Sequence, residues 1–72
     1  MSREVSYEVY VNDRLLGSYA GFAGAGVEAR VTALRSPGVL CKVERRSPFE
    51  GKLPVLWARY QVVKGNLVFW LR

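Results

Sequence analysis

Two stretches of alternation constrain this chain more than any other feature. From Val5 to Val11 apolar side chains fall on every second position (Val5, Tyr7, Val9, Val11), with Ser6, Glu8 and Tyr10 between them. The last eighteen residues, VLWARYQVVKGNLVFWLR, form two further strand-prone runs separated by Lys64, Gly65 and Asn66. A period of two is that of a strand with one face on a core and the other in water. The sequence therefore opens and closes in antiparallel β-structure, and both ends must share one buried face.

A chain of 72 residues buries only about 60% of its unfolded surface, so it supports a single core and is read as one domain over 1–72. Cys41 is the only cysteine and there is no histidine, which removes disulfides and structural zinc as stabilising devices. Packing, or association with another chain, must take their place. Half of the residues are hydrophobic, enough for a globular protein. MSREVSYEVY lacks a continuous apolar run, and no stretch approaches the roughly 18 apolar residues that span a bilayer. These features predict a soluble, cytoplasmic protein with no membrane partner.

Between the two β regions, Asn12, Asp13 and Arg14 tolerate turn geometry and predict a reversal into a second strand over Leu15 to Phe22. A three-residue loop would place Leu15, Gly17 and Tyr19 beside the first strand's apolar face; a two-residue loop at Asp13-Arg14 would place Leu16, Ala20 and Phe22 there. GFAGAG then reads as a flexible turn in which Gly24 or Gly26 caps a helix. It carries neither a dinucleotide fingerprint nor a Walker A order. Val27, Val31 and Leu34 recur at i, i+4 and i+7, which predicts a helix over Val27 to Arg35 with that stripe on the sheet and Ala29 and Ala33 behind. Ser36-Pro37-Gly38 stops it. VLCKVERR alternates again and turns Val39, Cys41 and Val43 inward with Lys42, Glu44 and Arg46 on the other side, so Cys41 is a buried structural thiol. RRSPFEGKLP is read as a polar loop carrying Arg45, Arg46 and Lys52. The expected fold is α+β, about five antiparallel strands and one short helix in the order ββαβββ.

In the closing hairpin a tight reversal at Gly65-Asn66 would pair Val62 with Phe69, Gln61 with Trp70 and Arg59 with Arg72. Leu56, Ala58, Tyr60 and Val62 would face the core with Leu67, Phe69 and Leu71. Trp57, Arg59, Gln61, Val68, Trp70 and Arg72 would share the opposite face. That second face has three readings: covered by the helix or the long loop, a homodimer interface built on aromatic and arginine anchors, or a docking face for an anionic partner. Like charges opposed in a sheet are destabilising, so an Arg59–Arg72 pair favours the third.

The formal charge is +5, with an isoelectric point near 9.9. Residues 1–29 carry two basic and four acidic side chains, net −2, whereas residues 30–72 carry nine and two, net +7. Such a field attracts phosphate backbones, anionic membrane surfaces or acidic protein patches, and net charge does not choose among them. Catalysis is not expected, since no histidine is present to move protons and no serine or cysteine sits beside a base; Glu4 and Glu8, four apart on a strand, read as surface charges. No cofactor is implied. Recognition-helix, RNP, zinc-finger and KH patterns are absent too, so direct binding of DNA or RNA would follow the backbone without reading sequence.

The YEVYVN hairpin, the short basic helix VEARVTALRS, the strand VLCKVERR and the terminal aromatic hairpin together resemble the miniature α+β proteins encoded by phages and mobile elements, including inhibitors of the anti-CRISPR type. The resemblance is one of architecture over most of the chain and transfers no residue. It implies a non-catalytic inhibitor or accessory protein that docks on an acidic protein surface or a ribonucleoprotein complex. The residues expected to carry binding are Arg30, Arg35, Lys42, Arg45, Arg46, Trp57, Arg59 and Trp70. Direct nucleic-acid binding and a homo-oligomeric structural role are the alternatives.

Overall fold

The computed structural model describes residues 5–47 and 55–71. It shows the α+β order ββαβββ: β1 (Ser6–Val11), β2 (Arg14–Tyr19), α1 (Phe22–Arg35), β3 (Cys41–Arg46), β4 (Val55–Val63) and β5 (Asn66–Leu71). The strands form one antiparallel sheet in the order β2-β1-β3-β4-β5, with β2 and β5 at its edges. The helix lies on one face of the sheet. Among the described residues no helix is long and apolar enough to cross a membrane. Lys52, Glu4 and Arg72 lie outside the described residues.

Both hairpins turn on two residues with positive φ. Asn12 and Asp13 adopt φ of 50° and 67°, and Lys64 and Gly65 adopt 52° and 81°. Such mirror-image turns match the right-handed twist of the flanking strands. The first hairpin takes neither predicted loop. Its turn is Asn12-Asp13, with Val11 opposite Arg14, and an irregularity at Leu16 then sets Gly17 opposite Val9 and Tyr19 opposite Tyr7. The last turn sits one residue earlier than predicted, on Lys64-Gly65. Register consequently shifts by two: Val62 pairs with Leu67, Gln61 with Val68 and Arg59 with Trp70. A shift of two preserves the faces but removes the predicted opposition of Arg59 to Arg72.

GFAGAG is not a turn. It forms the first part of α1, with Gly21 as N-cap and Gly24 and Gly26 inside the helix. Each internal glycine costs about 1 kcal/mol relative to alanine, and contact with the sheet explains the one at Gly26. A Cβ there would stand 3.0 Å from the Tyr60 hydroxyl, so a bare backbone lets the helix settle onto β4 without displacing that side chain. The helix rests on its small side chains: Ala25, Gly26, Ala29 and Ala33 are buried. The Val27, Val31 and Leu34 stripe faces outward, with Val27 and Leu34 at 50% and 57% exposure. The predicted face is therefore reversed. The alanines, at i, i+4 and i+8, form an equally continuous stripe, and close approach of helix to sheet selects the smaller side chains.

The core consists of Val9, Ala25, Ala29, Ala33, Cys41, Val43, Ala58, Tyr60 and Val62. Cys41 is buried as expected, and burial raises the pKa of its thiol. Leu56 leaves the predicted core face because of an irregularity between β3 and β4: Val43 pairs with Ala58 and Glu44 with Leu56, so Trp57 is the extra residue. Leu67, Phe69 and Leu71 have the predicted orientation relative to Tyr60 but remain exposed. They stand on the outermost strand, beyond the helix. Arg45 and Arg46, read both as the end of the VLCKVERR strand and as the start of the following loop, end β3 opposite Tyr7 and Ser6, with Arg46 outward beside Lys42 and Glu44 as the alternation has it.

Candidate docking surfaces

The eight residues expected to bind do not form one surface. Lys42, Arg46, Arg59 and Trp70 lie on the face of the sheet opposite the helix, while Arg30 and Arg35 are exposed on the helix. Arg45 and Trp57 lie on the helix side. There Trp57 meets the Tyr7 ring edge-on at 6.4 Å between centroids, Tyr7 meets Phe22 of α1 at 5.8 Å, and the Arg45 guanidinium stands 4.8 Å from the Trp57 ring centre. Trp57 was predicted to point away from the core. The extra residue in β4 changes the local alternation and packs its ring against the core cluster.

On the open face, carboxylates hold two of the three cations. Lys42 Nζ lies 2.7 Å from Asp13 Oδ1, which lowers the pKa of the Asp13 carboxyl and raises that of the Lys42 ammonium. Arg46 donates from Nε and Nη2 to the two oxygens of Glu8 at 3.3 and 3.4 Å. The Tyr10 hydroxyl donates to Glu8 Oε1 at 3.1 Å; burial, and then this carboxylate, raise the phenol pKa. Arg59, the third cation, stacks its guanidinium over Trp70 at 5.2 Å from the ring centre. Exposed pairs of this kind add little stability, but they offset much of the field that net charge implied for this face. Phosphate binding would have to compete with Asp13 and Glu8.

The helix side carries a different feature. Where α1 stops short of β5, a cleft of about 360 Å³ opens between them. Phe22, Ala23 and Gly26 form its helix wall, Tyr60 its floor, and Leu67 and Phe69 its strand wall, with Arg30 at its rim. Tyr60 and Phe69 are in ring contact at 4.8 Å. Burial raises the Tyr60 phenol pKa against the opposing influence of Arg30, so the hydroxyl stays protonated at neutral pH. Along β5, Leu67, Phe69 and Leu71 recur at every second position, with Phe69 at 47% and Leu71 at 61% exposure. The outer edge of β5 has no neighbouring strand among the described residues.

Sequence reasoning found only Arg30 of the residues around this cleft. Phe22, Gly26 and Phe69 were assigned elsewhere, to a strand, a turn and the core. One available signal was that β5 contains no charged residue, while natural edge strands commonly carry charges or proline that discourage pairing. The geometry provides an apolar trough, one cation beside it, and a free backbone edge; these are means of recognition. Among the described residues no group of three or more His, Cys, Asp and Glu side chains converges as metal ligands would. No family model matches the chain, and no curated protein or solved structure matches it.

Proposed function

We propose that the protein is a non-catalytic binding module that docks on an acidic protein partner through β5 and the cleft beside it. One observation carries this reading: the distribution of large apolar side chains is inverted. The largest fully buried side chains are Val9, Val43 and Cys41, whereas Leu67, Phe69, Trp70 and Leu71 stand exposed along one edge strand. Apolar surface grouped in this way is a feature of interaction sites. A free strand edge with alternating apolar side chains suits an extended segment added as a sixth strand. Arg30 at the rim favours a carboxylate in that segment. In keeping with the architectural likeness to small mobile-element inhibitors, the docking would block or recruit a larger nucleic-acid-handling assembly.

A random-peptide display screen on the immobilised protein tests the reading. Enriched peptides are expected to alternate apolar residues with at least one Asp or Glu, and Phe69→Glu or Arg30→Glu should weaken their binding by tenfold or more. Enrichment without that pattern, or binding that survives Phe69→Glu, would overturn it. A salt titration with generic duplex and single-stranded DNA addresses the alternative. Sub-micromolar, salt-sensitive binding would favour a nucleic-acid partner instead.

A further inference from the structure

We propose that the outward ridge of α1 is a self-association surface, on which a second copy of this chain packs antiparallel to the first. This inference is independent of the β5 cleft. Val27, Val31 and Leu34 form a continuous ridge at i, i+4 and i+7 on the side of the helix away from the sheet, all at 36% exposure or more. The opposite side is already committed to the sheet through Ala25, Gly26, Ala29 and Ala33. A helix apolar on two opposed faces needs cover on both, and within the described chain only one is covered.

Charge placement identifies the occupant. At 100° per residue Glu28 and Arg35 fall on the same flank of the ridge, two turns and roughly 10 Å apart along the axis. Arg35 is exposed in the last turn and Glu28 is half-buried in the second. Consider two such helices related by a twofold axis perpendicular to both and crossing near Val31. Val31 then meets Val31 of the second copy, and Val27 meets Leu34 of the second copy. In an antiparallel pair each flank faces its own equivalent, so Glu28 comes opposite Arg35 of the second copy, and Arg35 opposite its Glu28. The ridge is thus self-complementary in shape and in charge, as an isologous interface must be. In a parallel pair each flank would instead face the opposite flank of the second copy, so Glu28 and Arg35 would not meet across the twofold. On that flank a hollow lined by Leu15, Leu16 and Thr32, with Asn12 and Arg14 also in its wall, runs from the helix to β2. Arg30 is on the other flank, beside the β5 cleft, which stays open in the dimer.

A helix pair of this length buries less than a standard interface, so the dimer should be concentration-dependent, with Kd in the micromolar range. Sedimentation velocity over about 1–500 μM tests it. The wild type should pass from monomer to dimer across that range. Leu34→Asp, at an exposed position, should remain folded by circular dichroism and stay monomeric. Glu28→Arg and Arg35→Glu should each weaken association by fivefold or more, and the Glu28→Arg/Arg35→Glu double variant should recover most of the loss. Phe69→Glu should associate as the wild type does, which separates failure of this inference from failure of the β5 reading. A wild type monomeric at 500 μM, a Leu34→Asp protein that still dimerises, or a double variant no better than its parents would each overturn the proposal.

Discussion

At the scale of single residues, the approach of α1 to β4 depends on a missing side chain at Gly26. Gly24 and Gly26 both lie inside α1, but their surroundings differ. A Cβ at Gly24 would make ordinary contact with Tyr19 Cδ2 at 3.7 Å, whereas one at Gly26 would press on the Tyr60 hydroxyl at 3.0 Å. Alanine should therefore have opposite effects at the two positions. Gly24→Ala is expected to stabilise the fold by about 0.5–1 kcal/mol through helix propensity and a less flexible unfolded chain. Gly26→Ala is expected to destabilise it by about 1 kcal/mol, because the buried Tyr60 ring, in contact with Phe69, must shift to admit the methyl group. Tyr60→Phe removes the opposing oxygen, so the second alanine should cost less in that background. Urea unfolding of the wild type, the three single variants and the Gly26→Ala/Tyr60→Phe double variant tests both points; equal effects at Gly24 and Gly26 would contradict this account of the packing.

Among the elements, the two hairpins show how turn chemistry sets register. Asn12-Asp13 suits its geometry, since both residues accept positive φ, but Lys64-Gly65 places a lysine at φ 52°. Lysine has no side-chain means of easing that conformation. Lys64→Asn is expected to raise stability by about 0.5–1 kcal/mol, and Gly65→Ala, at φ 81°, to lower it by about 1 kcal/mol. For a domain of this size the melting temperature should move by several degrees in opposite directions. The sequence reading centres this turn on Gly65-Asn66, whereas the chain turns on Lys64-Gly65. Both glycine-containing pairs keep the same side chains on the same faces, so alternation could not choose between them. The choice placed Trp70, rather than a second arginine, across from Arg59.

For the whole molecule, order and cover of the strands set where stability resides. β1, β3 and β4 lie in the middle of the sheet and supply Val9, Val43, Ala58 and Tyr60 to the core. β2 and β5 have one neighbour each, and their large apolar side chains are mostly exposed. Hydrogen exchange should accordingly be slowest at the amides of β1, β3 and β4 and faster by at least tenfold in the outer strands of the free protein. Uniform protection across the sheet would argue against this division. Alternation determined β1, β3 and the inward placement of Cys41 and Val43, because period two commits a strand's faces wherever its partners lie; turn residues and strand-prone runs pointed to the other three strands. Length, the lone cysteine and the lack of histidine determined that packing would hold the fold. Only the tertiary structure decided which stripe of α1 met the sheet, since an alanine stripe and a valine-leucine stripe share the same period and differ only in how near they let the helix come. It also decided the fate of Trp57 and β5. One extra residue in a strand reverses the alternation locally, and a helix of finite width covers the middle of a five-stranded sheet while leaving its last strand open.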